Sequence, residues 1–402
     1  MTESKPDWLN AEFFKKALRF NRKDENLEIM SCKVDRATQP GDNFASEMYR
    51  AALEVKANGE KEDVSLIIKC RLRGGELTQT PVTFESFVRE AKVFSEINSQ
   101  ILKEASIKNN QPFGAKCFYS TTEPWYEAIV LEDLKKEGFQ LATVDLGLDL
   151  KHCMLVIRSI AQYHASSMVL YSKDKTCFEP FKESLFVKYP DSGMGQFLAT
   201  SIKNIVEEIT NWPGYEMYAD MLKSLIPKSM DHWMDAIRKD ETGFNVFIHG
   251  DLWLNNIMFR YSQESGEVQD IRFVDFQLSC TSSPAVDLHY FLNTSALPEL
   301  LENNLDELIQ EYHSSLCQTL SELDHETLQP TLDAIKSEFQ KRGLFGALSG
   351  FSVRGVALSD RNHIPDFEDI IGNNGNIYLS EAYKNVLRKL LPLYSKLGWL
   401  NH

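Results

Sequence analysis

The fragment "FIHGDLWLNNIMF", residues 247–259, sets His249, Asp251 and Asn256 close together between apolar stretches. A second fragment, "IRFVDFQ" at 271–277, ends an apolar run with a single acid, Asp275. One Asp beside a hydrophobic strand is ordinarily a cap or turn residue. Two such acids and an Asn at fixed offsets suggest a metal site. The amide oxygen of Asn256 and the carboxylate of Asp275 are hard ligands suited to Mg²⁺, which keeps several waters and takes its other ligands from substrate phosphates. Asp251, five residues before Asn256, is placed to accept a proton from an attacking hydroxyl. Together these are the parts of phosphoryl transfer from ATP: two metal-holding side chains and an Asp that orients the nucleophile.

That chemistry also calls for a cation near the α- and β-phosphates. Lys69 ends the nearly all-apolar run "VSLIIK", and an unpaired buried ammonium is costly, so it needs an acid. Glu90 in "ESFVREAKVF" interrupts the apolar face that Phe87 and Phe94 define, and is the expected partner. The plainer alternatives are a strand-end surface lysine and a solvated glutamate. His249 is expected to brace the loop by hydrogen bonds. His164 is expected to be a satisfied core histidine, and Asp287 in "SSPAVDLHYF" to start a helix and brace the same loop.

The elements that must position these groups are legible in outline. "SCKVDRATQ", "GDNFASEMYRAALEV" and "DVSLIIKCRL" read as an antiparallel meander with polar turns. "TFESFVREAKVFSEINSQIL" reads as a helix with Thr83 as N-cap and Phe87, Ala91, Phe94 and Ile101 on one face. "PFGAKCFYS" and "EAIVLEDL" add two strands. From about residue 145 the pattern is helical. Cys153, Val156, Ile157, Ile160, His164 and Met168 line one face of a long helix. The later strand candidates are "NVFIHG", "NIMFRY" and "IRFVDF", the last two flanking a polar turn and so forming a hairpin. A hairpin brings Asn256 and Asp275 to the same end. The expected fold class is α+β: a small β-rich N-terminal lobe, 1–134, and a larger helical lobe, 135–402.

Bulk composition narrows the function. The 402 residues are 43% apolar and 25% charged, with a net charge of -15 and a pI of about 5.2. Such an acid excess argues against nucleic acid and an anionic membrane as partners. The first residues carry no apolar signal core, and no apolar run is long enough to span a bilayer. Seven scattered cysteines without a Cys-x-x-Cys pair read as free thiols in a reducing cytosol, with zinc not expected. No G-x-x-x-x-G-K-[ST] occurs, which removes the P-loop NTPases. A cytoplasmic monomer is expected.

The order Lys69, Glu90, "HGDLWLNN", "VDFQ" resembles the protein-kinase-like fold, in the branch of choline and aminoglycoside kinases. "GDNFASEMYR", "HGDLWLNNIMF" and "PAVDLHYF" together resemble the insect ecdysteroid-kinase-like family. The resemblance implies that Lys69 binds phosphate and Glu90 orients it, that Asp251 is the catalytic base, and that Asn256 and Asp275 hold the metal. It also implies that "GDNFAS" replaces a glycine-rich phosphate loop, giving Gly41, Asn43, Phe44 and Ser46 as nucleotide contacts, together with Glu132 and Leu134 at the lobe boundary as further nucleotide contacts. Three departures from protein kinases stand out: Gly250 in place of an Arg, a short segment from Asp275 to Asp287, and Trp253 in place of a Lys. The first two point to a small-molecule acceptor. The expected activity is ATP- and Mg²⁺-dependent phosphorylation of a steroid-like alcohol. The alternatives are a choline- or aminoglycoside-type kinase and a nucleotide-binding scaffold. Acceptor contacts are expected in 178–233 and again after Arg342.

Overall fold

In the computed structural model the described residues are 5–37, 46–72, 80–105, 112–240, 243–358 and 379–401. Strands β1 (Glu28–Arg36), β2 (Ser46–Ala57) and β3 (Glu60–Arg71) form the expected meander. Asn58 and Gly59, both at positive φ, make the two-residue turn between β2 and β3. That Asn-Gly pair suits a turn whose twist matches its strands. β5 (Ala128–Glu132) pairs with β3, and β4 (Cys117–Thr121) lies outside it, so the order is β1-β2-β3-β5-β4. The strand period of two sorts β3: Leu66, Ile68 and Cys70 join one core, while Ile67 packs against the other. Lys69 falls on the Ile67 side.

Helix α1 (Ala11–Arg22), capped by Asn10, covers the outer face with Phe14 and Leu18 and was not anticipated. Helix α2 (Pro81–Lys92) covers the inner face with Phe87 and Ala91. Its N-cap is Thr80 rather than Thr83: the Thr80 hydroxyl accepts the Thr83 N–H, and Pro81 occupies the first helical turn, where its missing N–H costs nothing. The run continues through a π turn, Val93–Ile97, into α3 (Asn98–Ala105).

The helical lobe is built on α4 (Leu150–Lys173), capped by Asp149. There follow α5 (Leu185–Lys188), α6 (Met194–Ile209), α7 (Glu216–Leu225), α8 (Ser229–Ile237) and α9 (Pro284–Ser295). The chain ends with α10 (Pro298–Asn303), α11 (Leu305–Glu322), α12 (Leu332–Lys341), α13 (Gly343–Ala357) and α14 (Glu381–Lys396). Two small sheets are set into this lobe. β8 (Ile257–Tyr261) and β9 (Val268–Phe273) form the expected hairpin, extended by β6 (Phe139–Leu141). β7 (Val246–Ile248) pairs with β10 (Cys280–Ser282). β6 and β10 have three residues each, too short for an alternation to show in sequence. His164 is a satisfied core residue, bonded to Tyr312 Oη at 2.9 Å and Asp287 Oδ2 at 3.1 Å. All seven cysteines are free. Among the described residues, no helix is long and apolar enough to cross a membrane.

Candidate active site

The loop after β7 is held by one residue of α9. The two oxygens of Asp287 accept the backbone N–H groups of His249 and Gly250 at 2.7 and 2.8 Å. His249, fully buried, bonds through Nε2 to the Val274 carbonyl at 3.0 Å, and its Nδ1 accepts the Asp251 N–H at 3.3 Å. Burial lowers its pKa, against the pull of Asp287 and Asp275. A neutral imidazole with its proton on Nε2 satisfies both bonds, so His249 acts as a brace between the Asp251 loop and the Asp275 strand end. Gly250 has φ +82°, and a Cβ there would lie 2.3 Å from the Leu278 carbonyl oxygen. Backbone geometry alone therefore demands glycine where protein kinases carry an Arg.

That loop presents Asp251. Its Oδ1 accepts the Tyr290 hydroxyl at 2.7 Å and its Oδ2 accepts Asn256 Nδ2 at 2.9 Å. Burial, then the charge of Asp275, raises its pKa to about 7, against the lowering effect of those two donors. Such a value suits a group that must take up a proton near neutrality. Asn256 also donates to the Asp251 carbonyl at 2.9 Å. Both amide hydrogens are thus committed, and Oδ1 of Asn256 takes no hydrogen bond among the described residues. The Asn256 carbonyl accepts the Val274 N–H at 2.9 Å, which sets Asn256 beside the strand end that carries Asp275.

Asp275 lies just past β9 with φ +65°, a left-handed conformation that Asp tolerates better than most residues. Its Oδ1 bonds Lys69 Nζ at 3.0 Å. The same ammonium reaches Glu90 at 2.7 Å. Lys69 and Glu90 are 6% and 1% exposed, so the surface-lysine alternative does not hold. Burial alone would lower the Lys69 pKa; the two carboxylates outweigh it and the net shift is upward. Burial raises the Glu90 pKa, opposed by Lys69 and by the Phe276 N–H. Glu90 is buried and Asp275 is partly exposed, its side chain 27% accessible, so the cation is shared between one buried and one partly solvated carboxylate. Phe94 of the π turn packs edge-on against Phe276 at 5.3 Å, joining the sheet-covering helix to the Asp275 turn.

Sequence spacing therefore brings Lys69, Glu90, Asp251, Asn256 and Asp275 into one connected set of contacts. Gly41, Asn43 and Phe44 lie outside the described residues. Ser46 opens β2, paired with Arg71. Glu132 ends β5, its carboxylate accepting the Lys116 N–H at 3.2 Å. Leu134 is buried in the core at the lobe junction, and its carbonyl accepts the Phe139 N–H at 2.9 Å. Sequence reasoning missed Tyr290. It follows Asp287 by three positions in "DLHYF", on the helix that braces the loop, which is the one signal that could have raised it. Behind Tyr290 stand Trp233 and Phe345, with ring centroids at 6.3 Å from it and 4.6 Å from each other. A cavity of about 250 Å³ lies elsewhere, lined by residues including Leu155, Gln162, Ile271 and Thr319, and none of the five site residues borders it.

A β-rich lobe whose inner face is covered by the helix carrying Glu90, a helical lobe with an inset hairpin, and a Lys–Glu pair facing an Asp–Asn loop define the protein-kinase-like fold. Residues 40–325 match the ecdysteroid kinase-like family, and the chain belongs to it. No curated protein matches the chain. Among solved structures it is similar to the GDP complex of wild-type aminoglycoside 2'-phosphotransferase-IIIa, at 12% identity and a TM-score of 0.35, over 94% of this chain and 99% of that one. Family membership supports a kinase-like small-molecule phosphotransferase.

Proposed function

We propose that the chain is an ATP- and Mg²⁺-dependent kinase that phosphorylates a hydroxyl of an ecdysteroid or a similar apolar alcohol. The observation that carries this is the Lys69 ammonium held between Glu90 and Asp275 at 2.7 and 3.0 Å, beside a loop that presents Asp251. Lys69 would pair with the α- and β-phosphates. The hydroxyl oxygen of the acceptor bonds to the γ-phosphorus, the bond from that phosphorus to the β–γ bridging oxygen breaks, and ADP leaves. The hydroxyl proton passes to Asp251, whose carboxylate Tyr290 and Asn256 keep in place. Asn256 Oδ1 and the Asp275 carboxylate fit Mg²⁺ as hard oxygen donors. Bound there, the ion would offset phosphate charge. Orientation and charge neutralisation supply most of the rate in such a transfer.

The test is in two arms. A thermal shift with ATP should depend on Mg²⁺, and mass spectrometry of a panel of steroid and plant-metabolite alcohols should show addition of phosphate. Metal-dependent ATP binding with no alcohol turned over would favour a scaffold, and efficient turnover of choline would favour a cationic acceptor.

A further inference from the structure

Helix α2 carries Glu90, but a second charged cluster on it takes no part in the transfer chemistry described above. Glu85 lies toward its N-terminal end. Its Oε1 accepts Arg89 Nε and Nη2 at 3.1 and 2.9 Å. Its Oε2 accepts Lys188 Nζ at 2.6 Å and the Tyr189 hydroxyl at 2.7 Å. Arg89, 6% exposed, donates from Nη1 to the Glu183 carbonyl at 2.7 Å. Lys188 ends α5, and Glu183 and Tyr189 flank it. One helix of the β-rich lobe is thus bonded to one short segment of the helical lobe. Burial would raise the Glu85 pKa, but donors from Lys188, Tyr189 and Arg89 outweigh it and bring it to about 2. The carboxylate stays ionised, and its four acceptor positions are all used.

The far end of the same helical run is tied as well, through Tyr163 Oη of α4 to Asn98 Oδ1 at 3.1 Å. Between the two ties sits Glu90. A 2.7 Å contact to Lys69 tolerates little movement of the helix, since a constellation must be held within about 0.5 Å to act.

We propose that Glu85 is a positioning residue that, with Arg89, fastens α2 to the α5 segment, so that the placement of α5 sets where Glu90 holds Lys69. The proposal rests on the phosphoryl-transfer reading of Lys69. The α5 segment lies within 178–233, the stretch assigned above to acceptor contacts. The fastening therefore joins the acceptor side of the helical lobe to the phosphate-binding lysine through a contiguous set of hydrogen bonds.

Glu85→Gln keeps the shape and removes the charge. It should weaken MgATP binding about tenfold by titration calorimetry, a usual size for coupling between sites. The KM for ATP should rise more than the KM for the acceptor. Hydrogen exchange should quicken over Pro81–Lys92 and stay unchanged in α4. Lys188→Met alters a half-exposed side chain and keeps the fold; it should move the same readouts less. Adding it to Glu85→Gln should change little more, because both act through one contact. Unchanged exchange over α2 in both variants overturns the proposal. So does unchanged MgATP affinity in both, or an acceptor KM that moves as far as the ATP KM. If the unsubstituted protein binds no MgATP, the functional reading fails by itself. Exchange over α2 then decides the fastening without any ligand.

Discussion

Asp251 and Asp275 differ in what surrounds them, and that difference separates their roles. Asp251 has a donor on each oxygen and a pKa raised to about 7 by burial and by Asp275. Asp275 shares a cation with Glu90. Asp251→Asn should leave MgATP binding largely intact and lower turnover by ~10²–10⁴-fold, the usual worth of a general base. Turnover within a few-fold of the unsubstituted enzyme would remove the base role. Asp275→Ala should weaken MgATP binding and turnover together, because it deletes the carboxylate proposed above to hold the metal. Titration with and without Mg²⁺ is the check, and equal nucleotide affinity with metal present would count against ligation. Both residues were legible because each ends an apolar strand where an isolated acid is conspicuous. Tyr290 was not, because a tyrosine in an apolar helix looks like any core residue until its hydroxyl is seen to reach a carboxylate.

Helix α9 shows how one element serves both the loop and the core. Asp287 in its first turn bonds the Asp251 loop, Tyr290 bonds Asp251 itself, and His289 faces the opposite way into the helical core. His289 Nε2 bonds the Phe339 carbonyl at 2.6 Å, and its ring stacks on Phe339 with centroids 3.7 Å apart. Burial lowers its pKa from 6.5 to about 3. The folded protein therefore binds fewer protons than the unfolded chain between those values, and stability rises with pH across that window. The contribution is complete above about 6.5 and is lost as pH falls toward 3, amounting to a few kcal/mol, on the order of 1.4 kcal/mol per unit. Urea denaturation across that range should show a shallower acid slope in His289→Gln than in the parent; equal slopes would show that another group sets it. The elements themselves were legible where they are long and periodic, as in α4 or β3. Helix α1 carried such a pattern too, with Phe14 and Leu18 four apart after Asn10. By contrast, β6 and β10 exist only because β8 and β7 offer them edges, and no local pattern encodes that.

At the scale of the whole molecule the question is which acceptor the helical lobe admits. The segment from Asp275 to α9 is short, and part of it is committed to β10 (Cys280–Ser282), which pairs with β7. Little chain is left to dock an extended peptide, as a protein kinase must. The net charge of -15 does not attract anionic substrates. Behind Asp251 and Tyr290 the side chains are aromatic: Trp233 packs on Phe345 at 4.6 Å and on Phe186 at 6.5 Å. These residues come from α8, α13 and α5, far apart in sequence, so no spacing announced them. Trp233 and Phe345 are each 1% exposed, so they back Tyr290 and Asp251 from the core, and an apolar surround of this kind is compatible with a bulky alcohol with few polar groups. Trp233→Phe, which loosens the packing behind Tyr290 while keeping it aromatic, should raise the acceptor KM by disturbing the tyrosine that holds Asp251. The ATP KM should stay near that of the parent, because Lys69, Glu90 and Asp275 are untouched. With labelled ATP, phosphate should appear on a steroid-like alcohol and not on casein or histone. Label on protein would overturn this reading of the acceptor, and an ATP KM that rose with the acceptor KM would place Trp233 in the general support of the fold instead.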